Sequence, residues 1–430
     1  MLESAIAFVV LFVICFAGIP LGFSLILVGL GGFALLRGLL PGIEMAGQQI
    51  VDLSTNFGFS VLPLFILMGT FIHRAQLSSD LYDATNAWLG HRRGGLAMAT
   101  VAACGAFAAV SGSSLATAAT MAKVAMPSMR RFGYADSLAA GSVAAGGTLG
   151  ILIPPSVPMV IYGILTESDI GKLFIAGVIP GILLIFAYLA AVWAVTSVRP
   201  ALGPPGERIP WAARWPHLGR VWGVVALFVL VLGGIYFGIF TPTEAAGIGA
   251  AGALVFALLR RRMPWREFVD SLVEAGITSG MIFIVAFGAL IFSNFVNLAG
   301  LTAAMVDFIQ SLDVSAVGVV IAMCVIYLLF GCVFDSLAML LLTVPIFAAI
   351  LTPLDVDLIW FGIVAIIVVE IGLITPPIGM NVFIVKTVLE DVSLWAIFAG
   401  VWPFVVASLV GLALIVAVPD IALFLPQLMH

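Results

Sequence analysis

Charged residues are what this 430-residue chain has least of: Lys, Arg, Asp and Glu together make up 9% of it, against 63% hydrophobic residues. A soluble domain carries about 25% charged residues, so a soluble enzyme or binding module is excluded. A mean hydropathy of +1.25 makes the chain a polytopic membrane protein. No polar stretch is long enough for a sizeable soluble domain, the longest running only from about Arg199 to Arg220. The net charge of -5 offers no basic surface for nucleic acid. Cysteine is scarce too: Cys15, Cys104, Cys324 and Cys332 lie in apolar surroundings without metal-ligand spacing, which speaks against a disulfide framework or a metal centre. A phosphate-cradling glycine loop, an HExxH zinc motif and any Ser/His or paired-Asp arrangement on facing spans are missing, so neither ATP coupling nor intramembrane hydrolysis is expected. The first residues lack a basic n-region and a clear small-residue cleavage site, and are read as the first span.

What the chain does have is long apolar runs, several of them broken. A membrane helix needs about 20 apolar residues. Continuous candidates are 57–74, 173–197, 221–239, 243–259, 275–298 and 394–417. Residues 137–163 and 360–387 are long enough but interrupted, by "GTLGILIPPS" and "GLITPPIGMN"; 94–129 and 314–351 are interrupted by "SGSS" and "GCVFDS"; and 2–36 is broken at Gly18-Ile19-Pro20. Arg74, Arg92, Arg93, Lys123, Arg130 and Arg131 flank the first serine-broken run, and further basic clusters sit at 199–220 and 260–266. The loops around Asp307 and Asp313, and around Asp355 and Asp357, hold no Lys or Arg. By the positive-inside rule, 94–129 enters from the cytoplasm and returns to it, and 314–351 enters from outside and returns there. Each is expected to be a re-entrant hairpin, although two full crossings each would preserve the same sides.

The landmarks recur at a nearly fixed offset. Gly112 is answered by Gly331 at 219 residues, Pro127 by Pro345 at 218, "IPP" at 153 by "TPP" at 375, and "IAGVIP" at 175 by "FAGVWP" at 398; "GIP" at 18 likewise answers "GIFTP" at 238. If 2–36 is two short crossings joined at Gly18–Pro20, each half has five crossings and one hairpin. An odd number inverts the second half, giving the inverted-topology repeat of many secondary transporters. The expected architecture is all-α: a first repeat at 1–200, a cytoplasmic linker at 201–220 and a second repeat at 221–430, about ten transmembrane helices plus two hairpins, with both termini outside.

Helix-breaking prolines cost about 3 kcal/mol or more, and bare backbone in hydrocarbon is tolerated only where it is buried or lines a cavity. Packing hinges alone would not explain why a hairpin and a broken helix recur together. Unwound carbonyls are hard ligands suited to a small cation, hydroxyls complete such a shell without added charge, and facing helix N-termini hold anions. The serine tip at 111–114 and the break at 147–156 are therefore expected to meet and form one ion site, and Gly331 with 372–381 its mate. Asp335 is assigned a polar role in the cavity rather than helix capping. Glu370 and Glu244 are expected to cap or pair, Lys123 to snorkel, and His73, His91 and His430 to lie at loop edges or the terminus.

These stretches resemble the large membrane subunit of tripartite ATP-independent periplasmic (TRAP) transporters, the DctM-like family. "PLFILMG" (63–69), "GGLAMA" (94–99), "SGSSLATAATM" (111–121), "GTLGILIPPSVPMVIYG" (147–163), "KLFIAGVIPG" (172–181), "FGIFTPTEAA" (237–246), "GCVFDSLAMLLLTVPIF" (331–347) and "GLITPPIGMNVF" (372–383) carry the likeness over nearly the whole chain. The resemblance implies an elevator-type importer of the ion-transporter superfamily in a bacterial inner membrane. It further implies sodium (Na+) as coupling ion, an organic acid substrate, a periplasmic substrate-binding protein and a separate small membrane subunit of about four helices. It implies a first sodium site at Ser111, Ser114, Gly150, Ile153 and Pro155, and a second at Gly331, Gly372, Thr375 and Ile378. Ser113, Ser156, Asp335 and Asn381 are the expected substrate-cavity residues. A stand-alone sodium/dicarboxylate symporter of the same superfamily is the alternative; a passive channel fits less well, since paired hairpins suit alternating access.

Overall fold

The computed structural model describes residues 2–311, 314–332 and 334–429. Asp313 of the expected outer loop, Val333 within the second tip and the terminal His430 lie outside the described residues. The described chain is helical throughout. It opens with α1 (Leu2–Phe16), α2 (Leu21–Arg37), α3 (Leu39–Thr55), α4 (Val61–Arg74) and α5 (Leu77–Leu89). The serine-broken run folds as α6 (Gly95–Ser111) and α7 (Ser114–Arg131), and the first broken helix as α8 (Asp136–Leu152) and α9 (Val157–Leu165), followed by α10 (Ile170–Val198). The second half contains α11 (Trp211–Tyr236), α12 (Pro242–Leu259), α13 (Trp265–Leu298), α14 (Leu301–Ser311), α15 (Ala316–Gly331) and α16 (Ser336–Leu351). It ends with α17 (Leu358–Gly372), α18 (Met380–Val388), α19 (Leu394–Ala417) and α20 (Asp420–Gln427).

Seven of the described helices are long and apolar enough to cross a membrane, or eight if α8 and α9, bent by 42° at their break, count as one span. The six continuous runs are all among them; the seventh is the α16 segment, expected as one arm of a hairpin. Helices α1, α2, α6, α15 and α17 are apolar but shorter, below the length a straight crossing needs.

Two expectations change. The 201–220 linker is shorter, because α11 begins at Trp211. Arg214, expected in a loop, packs its guanidinium 5.8 Å from the Trp88 ring and 5.6 Å from that of Trp211, and its Nε donates to the Ile209 carbonyl at 3.0 Å. Those contacts carry a charged residue inside a helix. The amphipathic helices α3, α5 and α14 were not expected, since none forms a long apolar run.

The ends of the broken helices show how they run. The turns at 90–95, 131–136 and 199–206 are tied together: Gly94 N–H donates to Gly203 O at 2.8 Å, Gly206 N–H to Gly90 O at 2.9 Å, and Ala135 N–H to Leu202 O at 3.1 Å. Both ends of the α6–α7 pair thus lie on one face of the molecule, beside the start of α8. From there α8 and α9 run across to the opposite face, where the Tyr162 hydroxyl donates to Leu358 O at 2.6 Å, at the start of α17. Helices α17 and α18 run back, and Asp391 beyond α18 pairs with Arg130 at 2.7 Å. That guanidinium, through its hydrogen bond, holds the Asp391 carboxyl below its ordinary value. The two broken helices are therefore antiparallel. The packing crosses between halves in the same sense: α7 lies against α18 and α16 against α9, α2 against α13 and α12 against α4.

Prolines sit inside α7 (Pro127) and α16 (Pro345), and inside α10 (Pro180) and α19 (Pro403). They are the pairs that the sequence offset matches. Glu244 caps, as expected: Thr241 and Glu244 form a reciprocal capping box at the start of α12. Replacing Thr241 with alanine removes both bonds of its hydroxyl but leaves Glu244 accepting from the backbone N–H at 241, and is expected to cost about 1 kcal/mol, read as a lower melting temperature in detergent.

Candidate functional site

Each hairpin tip stops where its broken helix breaks. At the first tip, Gly112 turns the chain at φ 59° and caps α6, and Ser113 caps α7 by accepting from Ala116 N–H at 3.4 Å. Gly150 packs directly beneath: a Cβ there would lie 2.7 Å from Ser113 O and 3.0 Å from Ser114 Cα. A Cβ on Gly112 would lie 3.2 Å from the Pro155 carbonyl. The structure thus brings Ser111, Ser114, Gly150 and Pro155 together; Ile153, the C-cap of α8, sits between the last two in the chain, with its side chain turned onto Gly181. Pro154 and Pro155 have no N–H, so Gly150 and Ile151 lose the donors a continuing helix would supply.

The second tip repeats the arrangement. A Cβ on Gly372 would lie 2.6 Å from Gly331 Cα, so the two glycines meet backbone to backbone. The Thr375 hydroxyl donates to Ile371 O at 2.5 Å, and Gly379 N–H donates to Cys332 O at 3.3 Å, which brings Ile378 beside the tip. All ten residues from Ile151 to Val160 are buried, whereas Pro376 and Pro377 are exposed. Both Pro154–Pro155 and Pro376–Pro377 bonds are cis.

The donor set fits a small hard cation at both places. It consists of hydroxyls at Ser111, Ser114 and Thr375 and of backbone carbonyls, with no sulfur or imidazole. Among the described residues no cluster of His, Cys, Asp and Glu could hold a transition metal.

One cavity of about 1160 Å³ joins the two tips, lined on one side by 111–116 and on the other by 335–337. Three helix N-termini open on it, those of α7, α9 and α16, through Ser113, Val157 and Asp335. Asp335 lies in the cavity lining, but it also caps α16, the role set aside for it on sequence grounds, its Oδ1 accepting from Ala338 N–H at 2.7 Å. Ser156 and Asn381, expected in the wall, are fully buried behind it. Ser156 is used up in capping α9, accepting from Met159 N–H at 3.4 Å, and the Asn381 amide donates to Ala144 O at 3.3 Å.

Sequence reasoning missed the place of His73 and the partner of Glu370. The last turn of α4 carries His73 into the cavity wall, 3.4 Å from the Thr120 hydroxyl and near Lys123, which also lines the cavity. At the mouth, Arg74 bridges to Glu267 and, at 3.0 Å, to Glu274, tying α4 to α13. Glu370 does pair, but with the opposite half: the Ser114 hydroxyl donates to its Oε1 at 2.6 Å. A carboxylate in a buried apolar run was the available signal; its partner 256 residues away was not.

The comparisons agree with this geometry. The family model described as "Tripartite ATP-independent periplasmic transporter, DctM component" matches residues 8–421. The chain is 36% identical to the C4-dicarboxylate TRAP transporter large permease protein DctM of Pseudomonas aeruginosa, over 88% of either chain. It is 32% identical to the sialic acid TRAP transporter large permease protein SiaM of Vibrio cholerae, over 96% of either chain. The fold resembles that of the Alcanivorax borkumensis YdaH transporter, with a TM-score of 0.62 at 15% identity, over 89% of this chain and 88% of that one. A membrane permease and not an enzyme, the chain belongs to the DctM component family of tripartite ATP-independent periplasmic transporters.

Proposed function

We propose that this chain is the large permease of a sodium-coupled importer for an organic acid, working by an elevator motion between two inverted repeats. The observation that carries it is the pairing of each hairpin tip with the break of its own half, both tips lining one cavity. The antiparallel course of α8–α9 and α17–α18 and the cross-packing of the halves support the repeats at 1–200 and 221–430 and their inverted topology. Tips that stop at the breaks support re-entrant hairpins over full crossings. The hydroxyls and backbone carbonyls offered by Ser111, Ser114, Gly150, Ile153 and Pro155, and by Gly331, Gly372, Thr375 and Ile378, support two sodium sites.

The N-terminus of α7, capped by the neutral Ser113, presents its first amides and positive dipole end to the cavity, which suits a carboxylate; that of α16 is already capped by the Asp335 carboxylate. Relatives named for a C4-dicarboxylate and for sialic acid point to the same substrate class. Ser113 and Asp335 then face the substrate, and Arg261 and Arg262 near the mouth offer positive charge to an anion on its way out to the cytoplasm. The cavity opens toward the basic loops, so the state described is inward-facing, in a bacterial inner membrane with both termini periplasmic. The family's tripartite design supplies a periplasmic binding protein to deliver the substrate and a small membrane subunit to complete the scaffold.

Uptake into proteoliposomes is expected to require an inward sodium gradient, the binding protein and the small subunit together. Ser111→Ala and Thr375→Ala are expected to raise half-saturating sodium by about tenfold, the range of one lost buried polar partner. Uptake that ignores sodium in all three proteins overturns the coupling; full-rate uptake by this chain alone favours the stand-alone symporter.

A further inference from the structure

Glu370 is 3% exposed on α17, two residues before Gly372. Its Oε1 accepts a hydrogen bond from the Ser114 hydroxyl at 2.6 Å, while its Oε2 has no hydrogen-bond partner among the described residues. None of the ion pairs among the described residues involves it. A buried carboxylate without a positive partner is strongly disfavoured. This one lies in the second half of the chain yet is bonded to the tip of the first.

The bond decides what Ser114 can do. A hydroxyl has one proton and two lone pairs, and an ionised carboxylate only accepts. With a cation as the positive partner it otherwise lacks, Glu370 is ionised, draws the proton of Ser114 to its own side and turns the lone pairs away, toward the ground between the tip and Gly150. With the proton pointing the other way, the same hydroxyl would repel a cation. The charged acceptor also makes the bond stronger than a neutral one.

We propose that Glu370 is the positioning residue and counter-charge of the first cation site, acting across the two halves through Ser114. The inference rests on the sodium sites proposed above. It gives that site, built from neutral oxygens, its one full negative charge. It also joins the site to the helix that carries Gly372, so filling one site is felt at the other.

Thermal unfolding of the purified full-length chain, titrated with sodium chloride against choline chloride, tests this without transport. Glu370→Gln keeps the shape and can still accept from Ser114, but loses the charge; half-saturating sodium is expected to rise about tenfold, with the melting temperature in choline as the control for a merely structural effect. In the Ser114→Ala background the same change is expected to add clearly less than about tenfold, because the hydroxyl route is already cut and only the through-space attraction of the charge is left. A wild-type chain with no sodium-specific shift overturns the sodium reading and this inference with it. A wild-type shift with Glu370→Gln unchanged, or effects of the two substitutions that multiply in full, overturns this inference alone. Should Glu370→Gln fail to fold, Glu370→Asp, which keeps the charge but withdraws it from Ser114, carries the same expectation and the same overturning result.

Discussion

Alanine at Gly372 is expected to reduce uptake at least about tenfold, on the coupling proposed above, while the protein still inserts and folds. A Cβ there would sit 2.6 Å from Gly331 Cα and 2.8 Å from its carbonyl carbon. Both are backbone atoms, so no side chain can swing aside to make room. Overpacking of this kind costs about 1–3 kcal/mol, and here the strain falls on the contact that holds the second tip against its break. The tip retreats and takes its carbonyls with it. Alanine at Gly150 is expected to do the same at the first tip, where the clash is with Ser113 O at 2.7 Å. Gly247, with nothing within 4 Å of its would-be Cβ, is the control, and alanine there should leave uptake and melting temperature alone. Full uptake by both tip variants, at wild-type sodium, would show that the tips need not touch the breaks.

The interrupted runs were legible because proline and glycine act locally. A proline without an N–H breaks a helix whatever surrounds it, so the breaks could be placed within 147–156 and 372–381 from sequence alone; the structure narrows them to 152–157 and 372–380. Helix length was less legible. Hydropathy registers the part of a helix that lies in hydrocarbon, not the part that continues into the interface. So α11 begins at Trp211 and α13 at Trp265, ten residues before their apolar runs. In α11 that extension is held by aromatic and arginine contacts that no periodicity announces. The amphipathic α5 is half polar and invisible to any search for long apolar stretches; its Trp88 becomes recognisable only when Trp211 and Trp215 are seen packed against it.

The candidate site divides along the same line. Ser111, Gly150, Gly331 and Gly372 could be grouped from sequence because each lies at a break, and the breaks recur. Ser156 and Asn381 could not be told from cavity residues, since a serine beside a double proline reads the same whether it caps a helix or faces a substrate. The Ser114–Glu370 bond was beyond reach, because a single sequence carries no sign of which buried carboxylate meets which hydroxyl. His73 looked like a loop-edge residue at the end of an apolar run, until the last turn of α4 was seen to carry it to Thr120.

Membrane sidedness has an all-or-none consequence. A cysteine at Pro204 is expected to react with an impermeant maleimide only from the cytoplasmic side, and one at Asp355 only from outside. Pro204 adjoins Gly203, whose carbonyl is bonded to Gly94 at the base of the first hairpin, among the arginine-bearing turns. Asp355 lies in the turn just before α17, the helix whose start receives the Tyr162 hydroxyl at the far end of α9. Between these two faces runs the length of α8 and α9. A cysteine at Ala119, in the cavity wall, is expected to label from the same side as Pro204, because the cavity mouth lies among Arg74, Arg261 and Arg262. The native cysteines interfere little, with Cys104, Cys324 and Cys332 buried and Cys15 partly so. Labelling of positions 204 and 355 from one side would remove the inverted repeat. Labelling of position 119 only from outside would leave the repeat intact but reverse the state, making the cavity the one that receives substrate rather than the one that releases it.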